Sequence, residues 1–135
     1  MSTDSSRPTA RILIVDDEPE IVRALSLRLR AAGYEVLSAA DAIQATQAAM
    51  KERPDLVILD IGMPCGDGHT VASRIRSSSL TSQTPIIFLS ARTAHQDQER
   101  AREAGAVGFL TKPYKPEELL DLVKKALYPG DPGED

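Results

Sequence analysis

Four apolar runs in this 135-residue chain each stop at a polar residue suited to chemistry, and that pattern confines the fold more tightly than any other feature. Ile12-Leu13-Ile14-Val15 stops at Asp16-Asp17, and Leu56-Val57-Ile58-Leu59 stops at Asp60. Ile86-Ile87-Phe88-Leu89 stops at Ser90, and Val107-Gly108-Phe109-Leu110-Thr111 stops at Lys112. Short apolar runs separated by helix-like stretches read as parallel strands buried on both faces. In an open α/β sheet the carboxyl ends of such strands form one rim, and ligands bind there. Three carboxylates, a hydroxyl and an amine therefore converge, although almost a hundred positions separate the first from the last.

Composition narrows the class. A chain of this length suits one domain that buries roughly two-thirds of its unfolded surface. Its hydrophobic content of 41% supports a packed core. Trp is absent and aromatics are 4%, so that core must be mostly Leu, Ile, Val and Ala. A net charge of −4 argues against a nucleic-acid footprint, which needs a basic patch. No run approaches the ~20 apolar residues of a membrane span, and Met1 to Pro8 lacks a signal-peptide core. The expectation is a cytoplasmic protein with no membrane partner and no direct nucleic-acid partner. A single cysteine excludes an intrachain disulfide and a multi-cysteine metal site. Cys65 lies in an acidic loop, which argues against a reactive thiol.

Residues 1–9 read as a flexible N-terminal tail, 10–128 as the folded domain, and 129–135 as a Pro/Gly-rich tail or linker stub. Within the domain, five strand-like runs alternate with five helix-like ones. The first helix follows Pro19, presents Ile21, Leu25 and Leu29 on one face, and stops at Gly33. A short strand covers Glu35 to Ala39. Asp41 and Gln44 form a capping pair for the second helix, which Pro54 closes. The third helix is predicted over about 68–77 and the fourth over about 95–104. The fifth starts near Pro116, with Glu117 and Glu118 in its first turn and Lys124-Lys125 in its last, as the helix dipole favours. Lys115 stands where a Ser or Asp cap is expected. Such βα alternation predicts a five-stranded parallel sheet with right-handed crossovers and helices on both faces.

Ile14-Val15-Asp16-Asp17-Glu18 comes first, and Asp60-Ile61-Gly62-Met63-Pro64-Cys65-Gly66-Asp67-Gly68 second. Leu89-Ser90-Ala91 and Lys112-Pro113 then follow in order. Together they resemble the CheY-like receiver domain of two-component response regulators, over about residues 10 to 127. The resemblance implies a flavodoxin-like, doubly wound five-stranded sheet in the order 2-1-3-4-5, with five helices on two faces. It implies a phosphorylation-activated signalling switch, assisting only its own phosphorylation and slow dephosphorylation, rather than an enzyme. Asp60 would be the phosphoacceptor. Asp16 (partly through water), Asp17, Asp60 and the backbone carbonyl of Gly62 would hold Mg²⁺. Lys112, the Ser90 hydroxyl and the Ala91 amide would bind phosphoryl oxygens. The implied donor is a sensor histidine kinase or a histidine phosphotransfer protein, with small phosphodonors as substitutes. Ser90 and Phe109 would form the switch, altering the surface of the fourth helix, fifth strand and fifth helix for an unknown downstream protein target. The state implied is a monomer or a phosphorylation-dependent dimer. Family members often carry Tyr at the position of Phe109; Phe keeps the steric coupling. Gly62 and Arg92 occupy positions that tune the phosphoryl lifetime.

Charge arithmetic supports the same site independently. Asp16, Asp17 and Asp60 carry −3 when all are ionised, and one Mg²⁺ with Lys112 supplies +3. Without the metal, carboxylates this close should raise at least one pKa. Mg²⁺ suits oxygen ligands and keeps several waters.

The leading reading is a single-domain response regulator, with the excised receiver of a larger regulator or hybrid kinase second. An aspartyl-nucleophile phosphatase of the haloacid dehalogenase type needs a second Asp two residues after the nucleophile, where this chain has Gly62. A flavodoxin-like cofactor binder needs a Ser/Thr/Gly-rich phosphate loop, where this chain has Asp16-Asp17-Glu18-Pro19. His69 and His95 are expected at the surface. Leu120 is expected outside the core set of the fifth helix, which is Leu119, Leu122, Val123 and Ala126. Ala94, Ala101 and Ala104 are the only clear core candidates of the fourth helix, so it should be a weak element.

Overall fold

Strand β1, Arg11–Val15, lies between two parallel neighbours, and the chain reverses direction across the sheet there. It pairs with β2, Glu35–Ala39, on one side and with β3, Leu56–Asp60, on the other. Beyond β3 come β4, Ile86–Ser90, and β5, Gly108–Thr111, giving the order β2-β1-β3-β4-β5. The computed structural model describes residues 9–63, 67–90, 99, 102 and 105–130. Helices α1, Pro19–Ala31, α2, Ala42–Glu52, α3, Asp67–Ser77, and α4, Pro116–Leu127, complete the described elements. The α4 helix is the fifth of the five expected from sequence. The expected fourth lies outside the described residues except for Glu99 and Arg102, which are helical and paired at 3.1 Å. The tails at 1–8 and 131–135 also lie outside them. Among the described residues no helix is long and apolar enough to cross a membrane.

Alternation along the strands makes two cores. Leu13, Val15, Val57, Leu59, Ile86 and Phe88 face one side, where Ala45 and Ala49 of α2 and Val71, Ala72 and Ile75 of α3 cover them. Ile12, Ile14, Leu56, Ile58, Ile87 and Leu89 face the other, beneath Leu25 and Leu29 of α1 and Leu119 and Val123 of α4. Every residue of β3 and β4 is buried. Burial is incomplete at both edge strands, which have a neighbour on one side only: Ala39 alone is buried in β2 and Leu110 alone in β5, the one expected two-sided run that fails. Val107, taken as part of that run, precedes the strand and is 55% exposed.

The predicted helix ends appear in the backbone. Gly33 closes α1 with φ +99°, a conformation that L side chains rarely adopt. At α2 the Asp41 carboxylate accepts the Gln44 N–H at 2.8 Å, and the Gln44 amide oxygen accepts the Ala40 N–H at 3.1 Å. The missing cap of α4 is offset from the other direction, since Glu118 Oε1 accepts the Lys115 N–H at 3.2 Å. Leu120 departs from expectation: it is half-buried against the α1/α4 core. The approach to β5 is tied down by Arg76 at the end of α3. Its guanidinium donates to the carbonyls of Ser82 at 3.1 Å, Thr84 at 2.7 Å and Gly105 at 3.1 Å. That contact fixes the strand leading to Lys112.

Candidate functional site

Each strand end delivers its polar residue because the strand itself is too apolar to leave the core. Asp16 follows β1 directly and is 1% exposed; Asp60 ends β3 and is 5% exposed. Asp17, one position further along the loop, is exposed. One carboxylate oxygen from each of Asp16, Asp17 and Asp60 lies within 4.8 Å of the others. Lys112 follows β5, whose register sets Thr111 beside Ser90. Its own N–H donates to the Ser90 carbonyl at 2.7 Å. Its ammonium reaches Asp16 Oδ2 and Asp60 Oδ2, each at 3.3 Å. The Lys112–Pro113 peptide is cis.

The remaining oxygens are also engaged. Asp16 Oδ1 accepts the Glu18 N–H at 2.9 Å, and Asp60 Oδ1 accepts the Gly62 N–H at 2.7 Å. A fourth carboxylate joins at the rim, with Glu18 Oε1 3.6 Å from the Lys112 nitrogen. Glu18 has no role in the reading of the sequence, because an exposed acid in a loop carries no signal of what lies across the rim. Gly68 matters for a different reason. A Cβ there would fall 2.7 Å from the Ile61 Cα, so only glycine lets the first turn of α3 lie against the backbone after Asp60.

Burial and like charge leave this cluster electrostatically incomplete. Burial pushes the Asp16 carboxyl up to about 6, the Asp60 carboxylate adds to the rise, and the Glu18 amide and Lys112 only partly oppose it. Burial works against the charge on Lys112, but Asp16 and Asp60 outweigh it and hold the ammonium above its ordinary value. One ammonium is thus too little positive charge for three converging carboxylates. The donor set is all oxygen, as a hard dication such as Mg²⁺ prefers. The residues present fit that ion.

Of the other sequence-predicted positions, Ser90 is buried at the end of β4, and Phe109 is half-buried against the α2/α3 core. Gly62 is exposed beside Asp60. Ala91, Arg92 and Cys65 lie outside the described residues, as does His95. His69 was expected at the surface, yet it is half-buried and its ring meets Phe88 edge-on, with centroids 6.1 Å apart and an interplanar angle of 88°. The physical reason is that α3 lies against β4, a neighbour the local sequence does not reveal.

Comparison with known proteins gives the family and the fold. Residues 12–124 match the family described as response regulator receiver domain. The DNA-binding dual master transcriptional regulator RpaA of Synechocystis is 40% identical over 117 residues, covering 87% of this chain and 48% of its own length. The solved structure of chemotaxis protein CheY4 of Vibrio cholerae superimposes with a TM-score of 0.84 at 37% identity, covering 89% of this chain and all of that one (100%). A receiver domain of a Pseudomonas aeruginosa sensor histidine kinase superimposes with a TM-score of 0.81 at 32% identity, covering 89% of this chain and 98% of that one. That domain was solved with a magnesium ion coordinated in its active-site cleft. The chain spans about half the length of the curated relatives it matches, 48% to 52% in three of them.

Proposed function

Because the chain belongs to the response regulator receiver domain family, we propose that it is a phosphorylation-activated switch whose acceptor is Asp60. The observation that carries the proposal is the meeting of buried Asp16 and Asp60 with Lys112 in one cluster from three separate strand ends. Asp16, Asp17, Asp60 and the Gly62 carbonyl would hold Mg²⁺. Bound there, the ion offsets charge on the carboxylates and on the incoming phosphoryl oxygens.

This chain's residues supply position and charge, the main requirements of phosphoryl transfer. One Asp60 oxygen would attack phosphorus; Oδ1 now accepts the Gly62 N–H and Oδ2 the Lys112 ammonium. The O–P bond forms as the P–N bond of a donor phosphohistidine breaks, and the electron pair leaves with the imidazole. Lys112, now facing Asp60 Oδ2, would then pair with a phosphoryl oxygen. The Ser90 hydroxyl and the Ala91 amide would take the others. Drawing Ser90 inward would leave space for the Phe109 ring to turn, changing the surface of residues 95–104, β5 and α4. For this to signal, the phosphoryl group must favour one conformation by a few kcal/mol, because equal stabilisation of both shifts nothing.

The donor would be a sensor histidine kinase or phosphotransfer protein, and the output a protein target. RpaA is by name a DNA-binding regulator; for this chain, which spans half of such relatives, we assign only the receiver step. Beryllofluoride with Mg²⁺, read by hydrogen exchange, tests the reading. Exchange at β5 and α4 should change in the wild type and stay unchanged in Asp60→Asn. In Lys112→Ala the analogue should still bind without that change. An identical response in wild type and Asp60→Asn would remove Asp60 as acceptor.

A further inference from the structure

Phe88 lies two residues before Ser90 and beside Phe109, the aromatic residue assigned to the switch. Its side chain is fully buried on β4, on the same face as Ser90 two residues later. In the parallel register it sits opposite Phe109 of β5. Neighbouring strands lie about 4.8 Å apart, so the two phenylalanines are lateral neighbours on one face. Both pack into the α2/α3 core. Another side of Phe88 is met by the His69 ring, edge-on at 6.1 Å. That distance lies within the range of specific aromatic pairs. His69 is itself placed by Gly68, which packs against the backbone carrying Asp60 and Ile61. A continuous path therefore runs from the acceptor's main chain through Gly68 and His69 to Phe88, and from there to Phe109.

We propose that His69 is a positioning residue of the switch, bracing Phe88 so that Phe88 limits how far Phe109 turns toward Ser90. The proposal rests on the reading of Phe109 as the moving ring. Interiors are close-packed, so a ring cannot turn until its neighbour yields or holds. His69 touches none of the acidic residues in the described contacts, and its effect is separable from phosphorylation itself.

Phe88 and Phe109 are the only two phenylalanines of the chain. Incorporation of 4-fluorophenylalanine therefore gives two fluorine resonances, one per ring, assigned with Phe109→Leu. In His69→Leu both resonances should move before any phosphoryl analogue is added. The displacement of the Phe109 resonance by beryllofluoride and Mg²⁺ should fall by about half or more. His69→Tyr, which restores a ring against Phe88, should recover most of it. The rate of phosphorylation by acetyl phosphate should stay within about twofold of wild type in both variants. Should His69→Leu fail to fold, His69→Gln removes the ring while keeping a polar side chain, and the same two resonances report on it. A variant that moves only the Phe88 resonance, with the Phe109 displacement intact, overturns the proposal. A wild-type Phe109 resonance that ignores beryllofluoride overturns the switch reading itself, and any part of His69 in it.

Discussion

Strand β1 carries a charge cluster at each end, and the two are alike in kind: one cation among three carboxylates at the amino end and among four at the carboxyl end. At the amino end Arg11 meets Glu52 at 2.6 Å and Glu35 at 3.2 Å, while its N–H donates to Asp55 at 2.8 Å. At the carboxyl end Lys112 meets Asp16 and Asp60 at 3.3 Å, with Asp17 beside them. Their carboxylates respond in opposite directions. The hydrogen bond from Arg11 pulls Glu52 below its ordinary value, whereas burial pushes Asp16 up to about 6. Solvent access is the difference. The Glu35 and Glu52 side chains are 62% and 36% exposed, while those of Asp16 and Asp60 are 0% and 7% exposed. Water screens the first cluster, so it acts as an ordinary surface ion-pair network. In the second, Asp16 and Asp60 are desolvated, and the excess negative charge becomes a demand for a metal ion. Charge count alone makes neither a binding site nor a switch.

The largest expected effect comes from removing each cation in turn. Lys112→Met should cost about 3 kcal/mol in urea unfolding with a chelator present, because it strands two buried carboxylates. Added Mg²⁺ should recover part of that loss. Arg11→Met should shift the urea midpoint less, and the shift should be indifferent to Mg²⁺. Equal losses for the two variants, or equal insensitivity to the metal, would break the contrast between the two ends.

A second test sharpens it from the metal's side. At a free Mg²⁺ concentration a hundredfold above its Kd, the wild type should gain about 2.7 kcal/mol of stability. Asp17→Asn should lose most of that gain, and Asp55→Asn at the opposite end should keep it. Chemical unfolding with and without Mg²⁺ reads both. A gain that survives Asp17→Asn would take Asp17 out of the ligand set.

Much of this contrast was legible in the sequence, and the reasons differ by residue. The strand ends were readable because Ile12–Val15, Leu56–Leu59 and Ile86–Leu89 are too uniformly apolar to be anything but buried, which fixes where Asp16, Asp60 and Ser90 emerge. The Asp41–Gln44 cap and the left-handed Gly33 were readable because their chemistry is local. Contacts between distant elements were not. Arg11 meets Glu52 across 41 positions, and nothing local marks either as a partner. Asp16 and Asp17 look alike on the page, yet one is buried and the other exposed, because only the first lies directly on the strand end. His69 reads as polar until α3 is laid on β4, where its ring finds Phe88. Leu120 reads as surplus until α4 is laid on the sheet beside α1, where it is half under cover.

Every role proposed for the site turns on Asp60 being the phosphoryl acceptor of a metal-dependent cluster. Intact-mass analysis after incubation with acetyl phosphate measures that directly. The wild type should gain the mass of one phosphoryl group when Mg²⁺ is present and none when it is chelated. Asp60→Asn should gain none in either condition. A phosphoryl adduct on Asp60→Asn equal to that of the wild type, or one formed equally well without the metal, would contradict it.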